Sequence, residues 1–361
     1  MSINVSNRLQ KLRRKLAAKE LDGILISQPE NRYYLSDFLG TAGYLLITES
    51  HAVLTTDFRY TQQASIQSPG FRIFQITGSS FDWLVHLTSE LQIKRLGFEA
   101  GDVTVARQHL MSEALEKAAY KIGFFPVEGV VESLRMVKEP GEIKLISRAA
   151  EISDKAMEFA RKIIRVGITE TGMAWEIEKL MRENGSQNLP FEVIVASGPD
   201  SALPHHRPSG RRICPGDPVV IDIGARVGGY CSDLTRTLRA EGPAQYDTQF
   251  SQVYDAVLKA QSAAISKIHE GISGADADSI ARKVIEDAGY GRHFGHSLGH
   301  GVGLAEHEDP RLSPVSTDTL KPGMVFTIEP GIYLTGWGGV RIEDLAVLEN
   351  DRIRLLSKAT K

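Results

Sequence analysis

Leu9, Leu12 and Leu16 fall three and four residues apart, the spacing of one helix face, and predict a helix over residues 6–20. In DGILISQPENRYYL a turn leads into a short apolar strand, and a second helix starts after Pro29. Apolar runs follow at YLLIT, AVLTT, FRIFQI and RLGFEA, with helical spacing near 58–66, 80–91 and 104–118. Strands alternating with helices describe an α/β domain of about 130 residues, near the usual domain size. We place it at residues 1–132.

The helical pattern then lengthens. Ile143, Ile146, Ala150, Met157 and Ala160 mark one face of a long helix, with Pro140 in its first turn, Glu142 at its positive end and Gly167 as its stop. This helix opens a second domain, residues 133–361. That domain carries an internal echo. GITETGMAWEIEKLMRENG (167–185) aligns without gaps with GISGADADSIARKVIEDAG (271–289), and PGDPVVIDIG (215–224) with PGMVFTIEPG (322–331). Gly167 matches Gly271, Gly185 matches Gly289, and Asp222 falls on Glu329. Two pairs in one order at nearly constant offset predict a duplicated α+β unit whose halves face each other. The fold class is therefore α+β, preceded by a smaller α/β domain.

Acids inside the predicted strands break the pattern. Asp222 sits among Val219, Val220, Ile221 and Ile223, and Asp233 lies in a short run beyond Gly228 and Gly229. An unpaired buried carboxylate costs several kcal/mol or takes up a proton. A hairpin with Val227-Gly228 at its tip puts Asp222 directly across from Asp233 on one face, about 5 Å apart at Cβ. The second repeat puts Glu329 in MVFTIEPGIYL and Glu343 in GGVRIEDLAVL, the strand returning from the glycine-rich turn 336–339. A lone acid in a strand is most often an edge residue facing solvent, but the repeat removes the independence of these four. A proton-sharing dyad needs two acids rather than four. Four carboxylates paired within hairpins call for one shared counter-charge, and divalent metal is the economical source.

Histidines sharpen this reading. Four of the ten crowd into HFGHSLGHGVGLAEHEDP as His293, His296, His300 and His307, among glycines that let backbone approach closely. His205 and His206 form a pair in SALPHHRPSG. His296 and His300 are not a zincin helix, since no Glu follows the first and Gly299 and Gly301 interrupt. GHGVGL lacks both the spacing and the preceding strand of a dinucleotide loop. Oxygen donors with one imidazole suit Mn2+, Co2+, Fe2+ or Zn2+. Four carboxylates are too many for one small ion and about right for two.

Composition narrows the remaining classes. A formal net charge of −3 offers no basic field for phosphates, so nucleic acid is not an expected partner. Hydrophobic content of 42% and charged content of 24% are those of an ordinary soluble protein. Cys214 and Cys231 alone make neither a disulfide framework nor a Cys-rich zinc site. Cys231, on the strand face of Asp233, reads as an inert buried thiol. No stretch approaches the roughly 18 apolar residues that span a bilayer. The basic start MSINVSNRLQKLRRKLAAKE has no apolar run behind it. No membrane partner is expected, and the expected location is the cytosol.

Together these motifs resemble the metallopeptidases of the pita-bread fold, specifically the prolidase and aminopeptidase P group. LISQPENRYYLSDFLGTAGYLLIT and TDFRY resemble its N-terminal domain, and MVKEPGEIKLISRAAEISDKA its linking helix. IVASGPDSALPHH, GDPVVIDIGARVGGYCSDLTRT, GHSLGHGVGLAEHEDP, LKPGMVFTIEPGIY and GGVRIEDLAVL resemble its catalytic domain. The resemblance implies that Asp222, Asp233, His300, Glu329 and Glu343 ligate two divalent ions, with Asp233 and Glu343 bridging. Mn2+ is the first expectation, ahead of Co2+, Zn2+ and Fe2+. It further implies His205 and His307 as substrate-binding and transition-state histidines, Arg341 as a supporting arginine, and Tyr333, Arg311 and His296 as pocket residues. The implied partners are small proline-containing peptides and a second copy of the chain.

The implied reaction is hydrolysis of the Xaa-Pro bond. Glu329 takes the proton of the attacking water and delivers it to the leaving nitrogen, while His307 or His205 donates to the oxyanion. Cleavage of dipeptides is favoured over aminopeptidase action on longer peptides, and both stay open. A non-catalytic binding module or a creatinase-like, metal-free hydrolase on the same fold is disfavoured by the intact ligand set. Methionine aminopeptidase is disfavoured by the match of the N-terminal domain.

Overall fold

The structure, a computed structural model, describes residues 5–78, 80–242 and 247–361. The chain divides into two compact units, Met1–Arg135 and Met136–Lys361.

In the first unit the predicted apolar runs form a mixed six-stranded sheet. Its order is Arg72–Gln75, Ala52–Thr56, Tyr44–Thr48, Gly23–Ile26, Arg95–Glu99 and Gly123–Val127. Tyr44–Thr48 runs antiparallel to both neighbours, and the other pairings are parallel. The first helix, Val5–Ala18, buries Leu9, Leu12 and Leu16 as their spacing predicts. Leu25, Leu46, Trp83, Leu84, Leu96 and Met111 share one core. The last strand was not expected from its sequence, GFFPV. It lies at the sheet edge, where Pro126 has no central ladder to interrupt.

The second unit is built twice over. The long helix Pro140–Ile163 is followed by Glu170–Glu183, and Asp247–Lys267 by Gly274–Asp287. The two short helices have 14 residues each and start alike. Thr169 Oγ1 accepts the Gly172 N–H at 3.1 Å, and Ser273 Oγ the Asp276 N–H at 3.0 Å. Gly167 (φ 89°) and Gly271 (φ 85°) precede them in the left-handed region that suits glycine. The long helix ends at Ile163, before Gly167, so this glycine opens the next element rather than stopping the last. Glu142 closes a capping box with Glu139 at the start of the long helix.

Each half carries an antiparallel sheet and its own core. The first sheet has the order Leu234–Arg239, Pro218–Ile223, Ile194–Ser197, packed on Met157, Ile177 and Met181. The second has the order Glu308–Leu312, Gly299–Gly301, Val325–Ile328, Asp344–Glu349, Arg352–Leu355, packed on Val257, Ala281 and Ile285. Backbone joins the two directly, since the Glu343 N–H donates to Thr235 O at 3.1 Å. Buried Arg236 adds a second tie from the first sheet, donating to Asp344 Oδ1 at 2.7 Å.

One expected register differs. The first hairpin turns at Gly228-Gly229 (φ 57° and 82°), with Tyr230 opposite Val227 and Thr235 opposite Asp222. A tip at Val227-Gly228 would have forced a β-branched residue to positive φ, whereas two glycines accept it. Asp233 is therefore not directly across from Asp222. The shift is two residues, so both acids keep the same face. In the second half Ile328 lies opposite Asp344 and Gly331 opposite Arg341, which sets Glu329 opposite Glu343.

Candidate active site

The four acids stand where each long strand pair gives way to a short one. Asp222 is next to last in Pro218–Ile223, Asp233 precedes Leu234–Arg239, Glu329 follows Val325–Ile328, and Glu343 precedes Asp344–Glu349. Because Glu343 bonds to the Thr235 backbone, the two breaks in strand pairing come together. His300 arrives from the middle of Gly299–Gly301. Its flanking glycines are required by close approach. A Cβ at 299 would stand 2.1 Å from Thr327 O, and one at 301 2.2 Å from Asp309 O. All five predicted ligands line one cavity of about 300 Å³.

Ligand atoms of Asp233, His300 and Glu343 lie within 4.8 Å of one another. His300 Nε2 is 3.3 Å from Glu329 Oε1 and 3.6 Å from Asp233 Oδ2. Its Nδ1 faces Gly301 O at 3.1 Å, so Nδ1 carries the proton and Nε2 turns a lone pair to the acids. The Thr235 hydroxyl donates to Glu343 Oε2 at 2.7 Å, and the Thr327 hydroxyl to Glu329 Oε1 at 3.0 Å. Arg341 Nη2 donates to Asp222 Oδ2 at 2.6 Å, and Nη1 to the Tyr333 hydroxyl at 2.9 Å. That hydroxyl lies 2.9 Å from His296 Nε2, while His296 Nδ1 faces Ser297 O at 2.8 Å. A single chain of hydrogen bonds thus runs from Asp222 through Arg341 and Tyr333 to His296.

The electrostatics are those of a crowded anion site. Burial first, and then repulsion from Glu343, Asp222 and Glu329, push the Asp233 carboxyl well above its usual range. Burial and the charges of Glu329 and Asp222 do the same to Glu343. Glu329 is raised to about 7, chiefly by burial, against the pull of Arg341. Burial and neighbouring His307 hold His300 down at about 3, and burial and Arg341 hold His296 at about 4. Both imidazoles are therefore neutral near pH 7. Arg341 stays charged, because Tyr333, Asp222 and the glutamates outweigh its burial.

Two regions of the chain match known families. Residues 144–350 match Metallopeptidase family M24, and residues 8–137 match the Creatinase/Prolidase N-terminal domain. The chain belongs to metallopeptidase family M24. The peptidase is 38% identical to the Xaa-Pro dipeptidase of Pyrococcus horikoshii over 99% of this chain and 98% of that one. The solved Xaa-Pro dipeptidase of Bacillus anthracis is 40% identical, covers 99% of both chains and superposes with a TM-score of 0.95. An X-Pro aminopeptidase of Thermotoga maritima is 37% identical, covers 96% of this chain and 98% of its own, and gives a TM-score of 0.86. The fold is the pita-bread fold preceded by the creatinase-type domain.

The residues of this peptidase fit the metal its family implies. Asp222 Oδ1 is buried and has no hydrogen-bond partner among the described residues, an orphan acceptor that a cation would satisfy. Burial and mutual repulsion raise the carboxyls of both Asp233 and Glu343, and positive charge beside them would favour their ionised, ligating form.

The other predicted residues are distributed unevenly around the cavity. His205, His296, His307, Arg311 and Arg341 line it together with His206, while Tyr333 reaches it through His296 and Arg341. The His307 ring lies 4.1 Å from that of His300, centroid to centroid. His293 is exposed and absent from the cavity wall. Cys231 is buried, as expected, with its Sγ 3.6 Å from Leu304 O, and Cys214 is exposed. Sequence reasoning missed Thr235, Thr327 and Glu306. The two threonines carry no signal, because a hydroxyl in a strand is ordinary. Glu306 also lines the cavity, and burial and Asp222 push its carboxyl to about 7.

Proposed function

We propose that this peptidase hydrolyses the bond between an N-terminal residue and a following proline, preferring Xaa-Pro dipeptides. Two divalent ions would be held by Asp222, Asp233, His300, Glu329 and Glu343. The observation that carries the reading is the convergence in one cavity of four carboxylates and one neutral imidazole from both halves, with Asp233, Glu343 and His300 buried and Asp222 Oδ1 without a hydrogen-bond partner among the described residues. Bound ions of this kind supply a water nucleophile at neutral pH and polarise the scissile carbonyl. The oxygen-rich donor set supports Mn2+ ahead of softer ions.

Each protein group then has a task. Glu329, on the cavity wall, accepts the water proton and passes it to the leaving proline nitrogen. His307 and His205, on the cavity wall, donate to the developing oxyanion and the substrate backbone. Thr235 and Thr327 fix the orientation of Glu343 and Glu329. Arg341 anchors Asp222 and Tyr333. Proline as the leaving residue is supported by the names of the relatives. It also accords with an Xaa-Pro amide having no N–H, which denies strand-pairing proteases one contact. Arg311 on the cavity wall offers a cation to the free carboxylate of a dipeptide.

A homodimer in the cytosol completes the proposal. Among the described residues no helix is long and apolar enough to cross a membrane. Light scattering tests the assembly. An Xaa-Pro dipeptide assayed beside an Xaa-Pro-Yaa tripeptide tests the substrate. Faster dipeptide cleavage is expected, faster tripeptide cleavage replaces dipeptidase with aminopeptidase, and cleavage of neither by metal-loaded protein overturns the proposal.

A further inference from the structure

The first residue of each duplicated short helix holds a segment of the cavity wall, but the two halves do it differently. The N–H of Glu170 donates to Arg211 O at 3.0 Å, and the N–H of its counterpart Gly274 to Asp318 O at 2.8 Å. In the second half the segment around Arg311 packs straight onto the helix. A Cβ on Gly274 would stand 2.1 Å from Arg311 O. In the first half a fully buried carboxylate fills that place.

Glu170 accepts five hydrogen bonds. Oε1 takes the Ser197 N–H and hydroxyl, both at 2.7 Å. Oε2 takes the Ser209 N–H at 3.0 Å, the Ser209 hydroxyl at 2.8 Å and His206 Nε2 at 2.9 Å. The segment 197–209 is thus gripped at both ends and at its middle. On the other side of His205, Pro204 O accepts from Arg341 Nη1 at 3.3 Å. His205 is bracketed, its predecessor tied to the anchor of Asp222 and its successor to Glu170. Ligand atoms of Glu170, Asp200 and His206 fall within 4.8 Å of one another, the spacing of an ion site. Chemistry says otherwise, because donors already fill both Glu170 oxygens and Asp200 Oδ2 stays 3.9 Å from His206.

We propose that Glu170, acting through His206, is the positioning residue that holds His205 toward the substrate. The inference rests on the role assigned to His205 in Xaa-Pro hydrolysis. Two consecutive residues share a backbone, so releasing the His206 ring frees His205 to leave its productive pose.

The test is a double-mutant cycle on the metal-loaded full chain with an Xaa-Pro dipeptide. His206→Ala should lower kcat by about ten- to a hundredfold with KM changed less than about twofold. His206→Gln, which retains an N–H for Glu170, should recover most of that loss. In a His205→Ala background, His206→Ala should add no further loss. Equal losses in both backgrounds, or no loss at all, overturn the inference. Hydrogen exchange over residues 203–209 provides a readout free of turnover and should accelerate in both His206→Ala and Glu170→Gln. Unchanged exchange in folded variants also overturns it. Wild-type protein that binds metal yet leaves the dipeptide intact sinks the functional reading instead, and the exchange arm still decides the bracket.

Discussion

Glu329→Gln should stabilise the metal-free protein at neutral and alkaline pH. Burial, aided by Asp222 and opposed by Arg341, raises the Glu329 carboxyl from 4.5 to about 7 in the folded chain. The folded state therefore binds this proton more tightly than the unfolded state. Stability from this group is retained below pH 4.5 and is lost as pH climbs through about 7. At about 1.4 kcal/mol per pH unit, the accumulated loss above that window is about 3 kcal/mol. Glutamine has no proton to lose, and its amide oxygen still accepts from Thr327. Neutral buried His300 and His296 impose the opposite slope in both proteins, and removing the Glu329 charge also eases the Asp233 and Glu343 carboxyls it repels, which acts in the same direction as the predicted gain. Urea denaturation of metal-stripped wild type and variant, from pH 4.5 to 8.5, reads the effect as a shift of midpoint at constant m. The variant should gain about 3 kcal/mol on wild type across that range, and added Mn2+ should reverse the order. A difference independent of pH, or a wild type that gains on the variant as pH rises, refutes the reasoning.

Other substitutions probe the same centre from different sides. Asp233→Asn should abolish peptidase activity and lower bound metal, read by turnover and mass spectrometry, and wild-type turnover in it would refute the ligand assignment. Thr235→Val removes the donor to Glu343 Oε2 without changing shape and should weaken metal affinity by about ten- to a hundredfold, measured by competition with a chelator. Arg341→Met leaves Asp222 without its buried cation and should destabilise the metal-free protein by about 3–5 kcal/mol, with a smaller effect once metal is bound. His307→Ala should lower kcat by about a hundredfold or more if it donates to the oxyanion, with metal content unchanged.

The sequence is most legible where side chains repeat a period. Tyr44–Thr48 and Ala52–Thr56 coincide with the apolar runs YLLIT and AVLTT, because continuous apolar stretches bounded by turn residues have few alternatives in a buried sheet. The duplicated helices were visible because the glycines flanking them recur at the same positions, and the structure adds a capping hydroxyl at the start of each. Proline hid the edge strand Gly123–Val127, since it counts against a strand unless the edge position is already known. Reading the tip as Val227-Gly228 rather than Gly228-Gly229 moved the hairpin register by two residues and left every face unchanged. The four acids could be found because charge inside apolar strands is rare, and the imidazole because histidines crowd among glycines. Thr235, Ser197 and Ser209 could not be, because their roles come from contacts across long sequence separations, and Thr327, two residues before Glu329, is an ordinary strand hydroxyl.

The most direct test of the metal-dependent mechanism is turnover of an Xaa-Pro dipeptide as ions are stripped and returned, with bound metal counted by mass spectrometry at each point. Activity should vanish with the metal and return as Mn2+ occupancy rises toward about two ions per chain. Protein shown to be free of metal that still cleaves the dipeptide at the full rate would contradict the account.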